Sequence, residues 1–350
     1  MPVLADYTTL GLGGPARTFI SAAADAELVE AVRSADASSE PVLLIGGGSN
    51  LVVSDEGFPG TVIHVTTRGL GYAGTGEGAV EVTVAAGEDW DDVVAATVTE
   101  GLAGLETLSG IPGRAGATPI QNVGAYGYEV AEVVTQVRVY DRMEDQVKVI
   151  PNERCSFAYR TSMFKAGGSR YVVLAVTFRL TRQPVSMPVK YAELAAELGV
   201  QMGERAGVSE VRSAVLKIRS RKGMVLSPGD PDTRSAGSFF TNPIISAAEF
   251  AQVEAAAAAR GLPGPVPRYP AGDGLVKLPA AWLIERSGFT KGYGAPAPAR
   301  VSAKHTLALI NAGNATTAEL LALAREIVKG VQDAFGVTLS PEPILVGVTL

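Results

Sequence analysis

At 350 residues the chain is long enough for two or three domains at about 100–200 residues each, so a single small module is excluded. With 47% hydrophobic and only 19% charged residues it can bury sizeable cores and is not a disordered chain. Its formal charge is -6 and its basic residues form no stripe that could track a phosphate backbone, which argues against a nucleic-acid partner.

Up to Val65 the pattern predicts a helix over Ala26 to Ser34, a buried strand over Pro41 to Ile45, a glycine loop, and short strands at 51–53 and 61–65. That is a small α/β unit. From Gly71 to Leu180 the β-rich runs Val80 to Ala85, Val133 to Tyr140, Gln146 to Ile150 and Tyr171 to Leu180 surround one amphipathic helix, Trp90 to Glu100. The glycine-rich stretch Ser109 to Gly127 is too long for an ordinary connection and is a candidate functional loop. A helix from Val208 to Lys222 ends at Gly223, and the Pro- and Asp-rich run 226–232 reads as a surface turn near a domain junction. Beyond it, Ser246 with Glu249 and Thr316 with Glu319 form capping boxes for two helices that stop at Gly261 and Gly336, with a strand predicted over 306–310.

One cysteine, Cys155, makes no internal disulfide, and the N-terminal residues lack the basic and apolar regions of a signal peptide, so a cytoplasmic location is expected. Apolar runs such as 171–176 are far shorter than the ~20 residues needed to span a bilayer, so no membrane association is expected. The two histidines, His64 and His305, and the cysteine form no cluster at metal-ligand spacing and no Ser-His-Asp or Cys-His signature, so no metal is expected. If the protein is an enzyme, an organic cofactor is the expected source of its chemistry.

Several segments carry polar groups in unusual company. In Gly46-Gly47-Gly48-Ser49-Asn50 successive glycines let main-chain N–H groups converge on an anion; the alternative is a tight turn between strands. It is not the dinucleotide fingerprint, because Leu51-Val52-Val53 continues as a strand instead of opening a helix. The loop from Gly110 to Gly127 has two prolines, the amide pair Gln121-Asn122 and one charge, Arg114, a mixture suited to holding a pyrophosphate or an electron-rich ring. Arg160 lies in an aromatic run and must be paired or face a ligand anion. Ser238 precedes Phe239-Phe240 in a small-residue segment that also reads as a capped turn, and Glu342, between two prolines, reads on its own as a solvated carboxylate.

Taken together, Gly46 to Asn50, Ile111-Pro112-Gly113 through Gln121-Asn122-Val123-Gly124-Ala125-Tyr126-Gly127, Tyr159-Arg160 with Ser162 and Phe164-Lys165, Ala236 to Phe240 with Asn242-Pro243, and Pro341-Glu342 occur in the order seen in one family. The chain resembles the UDP-N-acetylenolpyruvoylglucosamine reductases, the flavoenzymes that complete UDP-N-acetylmuramate in peptidoglycan synthesis. The resemblance runs from about residue 6 to residue 347. The segment Val185 to Leu198, with Tyr191, is similar to the substrate-covering insertion of the longer, type I subtype. Two departures are Pro343, where the family commonly has Val, and Ala115 and Ala117 in a loop often richer in glycine.

The resemblance implies an α+β fold. It has a two-part FAD-binding region of the vanillyl-alcohol oxidase (PCMH) type, comprising residues 1–68 with the C-terminal strand 341–350 and then residues 69–219, and an α/β substrate-binding domain over 220–340. FAD would be held without a covalent tether by Gly46, Gly47, Gly48, Ser49, Asn50, Leu51, Ile111, Pro112, Gly113, Gly116, Gln121, Asn122, Gly124, Ala125 and Tyr126, since neither glycine loop contains His or Cys. NADPH would be the electron donor, and UDP-N-acetylglucosamine enolpyruvate would contact Tyr159, Tyr191, Arg219, Lys222, Ser238 and Asn242. Ser238 would be the proton donor, assisted by Arg160 and Glu342. No obligate protein partner is expected. A sugar or alcohol oxidase on the same flavin fold would leave Ser238, Arg160 and Glu342 unexplained, and a non-enzymatic nucleotide-binding module need not be yellow.

Overall fold

The computed structural model describes residues 1–76 and 78–350. The chain divides into two compact units, one built from 16–48 and 59–225 and the other from 2–15, 49–58 and 226–350.

Among the described residues the first unit holds two larger sheets and a short two-stranded one, Gly124–Ala125 with Tyr128–Glu129. Val42–Ile45 pairs in parallel with Phe58–Val65, placing Ile45 opposite His64, and Ala16–Ala22 flanks the other side. The helix Asp25–Ala37 packs on this sheet through Leu28, Val29 and Val32, spaced as one face of an amphipathic helix requires. The larger sheet runs antiparallel in the order Gln146–Pro151, Val134–Asp141, Tyr171–Arg182, Ala79–Ala85, Leu70–Gly76. Its central strand, Tyr171–Arg182, is an almost unbroken apolar run, as a strand covered on both faces must be, and Trp90 of the helix Trp90–Thr99 stacks against its Phe178. Asp89 caps that helix, its carboxylate accepting from the N–H groups of Asp91 and Asp92.

The second unit is helical with small sheets. Its longest helix, Thr317–Phe335, starts on the Thr316–Glu319 capping box, and Asp55 adds a carboxylate that accepts from the N–H groups of Thr317 and Ala318 at 2.8 and 3.0 Å. It ends at Gly336, whose φ of 70° is the left-handed cap glycine favours. Ile344–Val346 lies parallel to Leu51–Val53, and Leu10, Leu12 and Val52 share a core with Phe239, Phe240, Leu283 and Ile327. This is why 2–15 and 49–58 group with the later residues.

Most predicted elements form within a few residues of their expected bounds. The strand expected over 306–310 is an exception, forming as Leu309–Asn311. Thr306 instead bonds Glu285 through its hydroxyl, and Ala308 donates back to His305 in a turn. Among the described residues no helix is long and apolar enough to cross a membrane, and no three His, Cys, Asp or Glu side chains gather as a metal site.

Candidate active site

In the first unit the two glycine loops meet. Gly46, Gly47 and Gly48 follow the strand Val42–Ile45. A Cβ on Gly47 would stand 2.8 Å from the Cα of Gly113, closer than side chains tolerate, so only glycine allows this approach of main chain to main chain. The second loop is fixed by backbone bonds. Trp90 donates to Gly113, Ala115 to Glu88 and Gly116 to Ala86, while Gly110 donates to the Asp91 carboxylate at 2.6 Å. The Asp91 carboxyl lies below its ordinary value: burial pushes it up, but the bidentate Arg212 and the Gly110 N–H outweigh burial.

Arg160 sits in a tight turn. Ala158 and Thr161 exchange reciprocal main-chain hydrogen bonds of 3.1 Å, so Tyr159 and Arg160 form its tip. Arg160 has φ 55°, a conformation side chains rarely adopt and that typically costs about 1–3 kcal/mol. Its guanidinium donates to the carbonyls of Gly124 at 2.9 Å and Asn122 at 3.5 Å and lies over the Tyr159 ring, while Lys165 donates to the Arg160 carbonyl. A Cβ on Gly124 would meet Glu129 at 2.7 Å and Arg160 at 3.3 Å, so the missing side chain admits the guanidinium. Asn122 and Tyr126 also have left-handed backbones, φ 47° and 52°. Asn122 is 1% exposed and fully engaged, donating to Glu129 and to the Ala158 carbonyl and accepting from Ala131. Three strained residues within this loop and turn mark a segment held in place by its surroundings.

Tyr126 packs edge-on against Tyr191 with ring centres 5.4 Å apart. Burial pushes the Tyr126 phenol up to about 12, although the Arg219 beside it pulls the other way. Arg219 donates to the Met224 carbonyl at 2.9 Å and bonds Tyr126, and its Nε is buried with no partner among the described residues. Lys222 is paired with Glu193, on the helix Ala192–Leu198 that follows Tyr191.

In the second unit Ser238, Glu342, Asn50 and Asn242 lie on segments stitched together by main chain. Phe240 pairs antiparallel with Pro341, the Glu342 N–H donates to the Phe239 carbonyl at 2.9 Å, and Thr241 donates to Ser340 at 3.0 Å. Asn50 Nδ2 donates to the Glu342 carbonyl at 3.4 Å, and Ile344 donates to the Asn50 carbonyl at 2.9 Å. Ser238 and Glu342 are both half-buried. The Asn242 side-chain oxygen accepts from Ala280, the first residue of the helix Ala280–Arg286. The first three glycines of the first loop thus belong to one unit and Ser49, Asn50 and Leu51 to the other, while Arg160 is in the first unit and Ser238 and Glu342 are in the second.

The sequence reading missed Asp91, Glu129 and Glu193, the acids that hold Gly110, Asn122 and Lys222. None had a readable signal, because Asp91 looks like an ordinary first-turn acid and the other two act across turns of unpredictable shape. Cys155 is buried, and burial pushes its thiol up to about 12, which disfavours the reactive thiolate.

The residues present fit FAD. The two glycine loops form a cradle that a Cβ would fill, and the buried Nε of Arg114 beside it has no partner among the described residues. Residues 16–149 match the FAD binding domain, and residues 230–346 match the domain described as UDP-N-acetylenolpyruvoylglucosamine reductase, C-terminal domain. An α+β fold with an FAD binding domain ahead of such a domain defines an FAD-dependent oxidoreductase. The chain belongs to the UDP-N-acetylenolpyruvoylglucosamine reductase family. It is 58% identical over 348 residues to that reductase of Thermobifida fusca, covering 99% of this chain and 97% of the relative. It is likewise 58% identical to that of Streptomyces avermitilis, covering 99% and 94%. The crystal structure of the Thermus caldophilus reductase superposes with a TM-score of 0.65 at 26% identity, covering 99% of this chain and 97% of that one.

Proposed function

We propose that the protein reduces UDP-N-acetylglucosamine enolpyruvate to UDP-N-acetylmuramate with electrons from NADPH, in the cytoplasm, as a step of peptidoglycan precursor synthesis. The observation that carries this reading is the backbone stitching of the Ser238 segment to the Glu342 strand. It holds Ser238 and Glu342 on neighbouring, main-chain-bonded segments of the second unit.

The two glycine loops with Gln121, Asn122 and Tyr126 would hold FAD without a covalent tether, and the bound flavin would supply hydride chemistry, passing electrons from NADPH to C3 of the enolpyruvyl ether. Hydride addition at C3 drives negative charge onto C2 and its carboxylate. Arg160 meets that charge: its guanidinium is oriented by two carbonyls. Ser238 gives the proton to C2. Serine is a feeble acid in water, but the carbanion-like acceptor is strongly basic, so a positioned hydroxyl suffices. Glu342 orients the acceptor or restores the serine proton. Lys222 and Arg219, with Tyr191, Tyr159 and Asn242, bind the UDP-sugar, and Lys222 exchanges Glu193 for a phosphate oxygen on binding. We assign residues up to 68, with the C-terminal strand 341–350, and residues 69–219 to the two flavin-binding subdomains, and 220–340 to the substrate domain.

The test is NADPH oxidation by the purified protein with and without UDP-N-acetylglucosamine enolpyruvate. Substrate-dependent oxidation yielding UDP-N-acetylmuramate is expected; oxidation indifferent to the substrate would overturn the reading.

A further inference from the structure

We propose that Arg114 is a dedicated electrostatic clamp for the FAD pyrophosphate, set into the glycine cradle of the first unit. Three observations converge on it. The stem of Arg114 lies directly on the first glycine loop, with the position of a Gly46 Cβ only 3.0 Å from Arg114 Cγ and 3.1 Å from its Cβ. The neighbouring residues Gly47 and Gly113 also meet, a Cβ on Gly47 standing 2.8 Å from the Gly113 Cα, so the Arg114 side chain is anchored where the two loops come together. Its Nε is buried without a hydrogen-bond partner among the described residues.

The charge on Arg114 is incompletely answered within the unit. Its side chain is only 22% exposed, and its ion-pair partner is Asp89, at 3.5 Å, the outer limit of a hydrogen bond. Asp89 is also committed to capping the helix Trp90–Thr99, where its other carboxylate oxygen accepts from Asp91 and Asp92. His64, opposite Ile45 in the sheet, supplies no counter-charge; it bonds the Gly46 backbone, and burial together with Arg114 lowers its pKa. A mostly buried guanidinium with a spare donor and a distant carboxylate calls for an anion. Of the parts of FAD, only the pyrophosphate carries a permanent negative charge, since the oxidised ring system, ribityl chain and adenosine are neutral. A planar guanidinium suits two phosphate oxygens better than a lysine does.

The inference rests on the FAD assignment, and its test begins from the yellow holoprotein, so a colourless wild-type protein would count against the cofactor and not against Arg114. Flavin release is followed by the rise of free-flavin fluorescence as potassium chloride is increased, and the reduction potential of the bound flavin is measured in parallel. R114Q is expected to release FAD at least tenfold faster than wild type, with a shallower salt dependence and an unchanged potential, while R114K falls between the two. Release from R114Q within twofold of wild type would overturn the clamp, as would a shifted potential with unaltered release, which would move the guanidinium to the ring system. Should R114Q not fold, wild-type release by itself decides: acceleration by salt supports the clamp and salt-independent release overturns it.

Discussion

Glu342 donates its main-chain N–H to the carbonyl of Phe239 at 2.9 Å, so the residue immediately after Ser238 is tied to the glutamate by backbone alone. Side-chain substitutions at either position therefore leave the stitching intact and report on chemistry rather than on folding.

For Ser238→Ala the two half-reactions should separate. NADPH should bleach the flavin at close to the wild-type rate, since that hydride transfer needs no proton from the serine. Reoxidation by the enolpyruvyl substrate should slow by at least the ~10²–10⁴-fold typical of losing a general acid. Cys at the same position should recover part of the rate. Rapid-mixing absorbance at the flavin band reads both steps, and a normal second step would transfer the proton to Glu342 or to a water it holds.

Arg160→Lys keeps the charge but loses the fork that the Gly124 and Asn122 carbonyls orient. Turnover should fall by roughly 10²-fold or more, in line with losing a preorganised stabiliser of developing charge. Folding should be little affected, because the left-handed backbone at φ 55° is equally strained in both. Steady-state kinetics with a thermal melt checks both statements; near-normal turnover would reduce Arg160 to a structural role.

Lys222→Ala should raise KM for the UDP-sugar by about tenfold and leave flavin reduction by NADPH unchanged, because a phosphate contact away from the reacting carbons contributes mostly uniform binding. An unaltered KM would place the diphosphate elsewhere.

Asp141 gives a pH-dependent prediction away from the site. Its side chain is 0% exposed and is gripped by Arg170 at 2.9 and 2.7 Å and by Lys148 at 2.9 Å. Hydrogen bonds from Arg170, then from Lys148, hold the carboxyl well below the usual carboxylate range despite burial. A depressed folded pKa means that its stabilisation is complete above the unfolded value of about 3.9 and is lost as pH falls through the folded value. Asp141→Asn should therefore lower Tm by roughly 5 °C near neutrality. The gap to wild type should narrow below about pH 4. A gap that is constant with pH, measured by calorimetry, would show that packing and not charge is at stake.

What could be read from the sequence was what short-range physics controls. The helix Thr317–Phe335 announces itself through Thr316, Glu319 and Gly336, because capping is a contact between near neighbours. The apolar run of Tyr171–Arg182 likewise had only one reasonable reading. The glycine loops were legible singly as places of close main-chain approach but not as a pair, since nothing in either stretch states that Gly47 will meet Gly113. Nor could the pattern show that Asp55 would cap a helix more than 250 residues later in the chain. Arg160 was left between ligand contact and ion pair, and the pattern gave no sign of the left-handed turn conformation in which it is held. Long-range partnerships of this kind depend on the finished packing.

The pairing of Leu51–Val53 with Ile344–Val346 also sets an order of events during synthesis. Every segment of the first unit has been made once Val225 has left the ribosome, so that unit can complete its core while the rest is still being translated. Leu10, Leu12 and Val52 are made early too, but their partners, from Phe239 to Leu339, come only with the remaining third of the chain. Until then these apolar side chains and an unpaired strand edge are exposed, and closing the loop between residues 51 and 344 is the slow, high-separation step. A chain that stalls before Ile344 would carry a folded first unit and an open strand edge, which makes it a natural substrate for chaperones and a seed for aggregation.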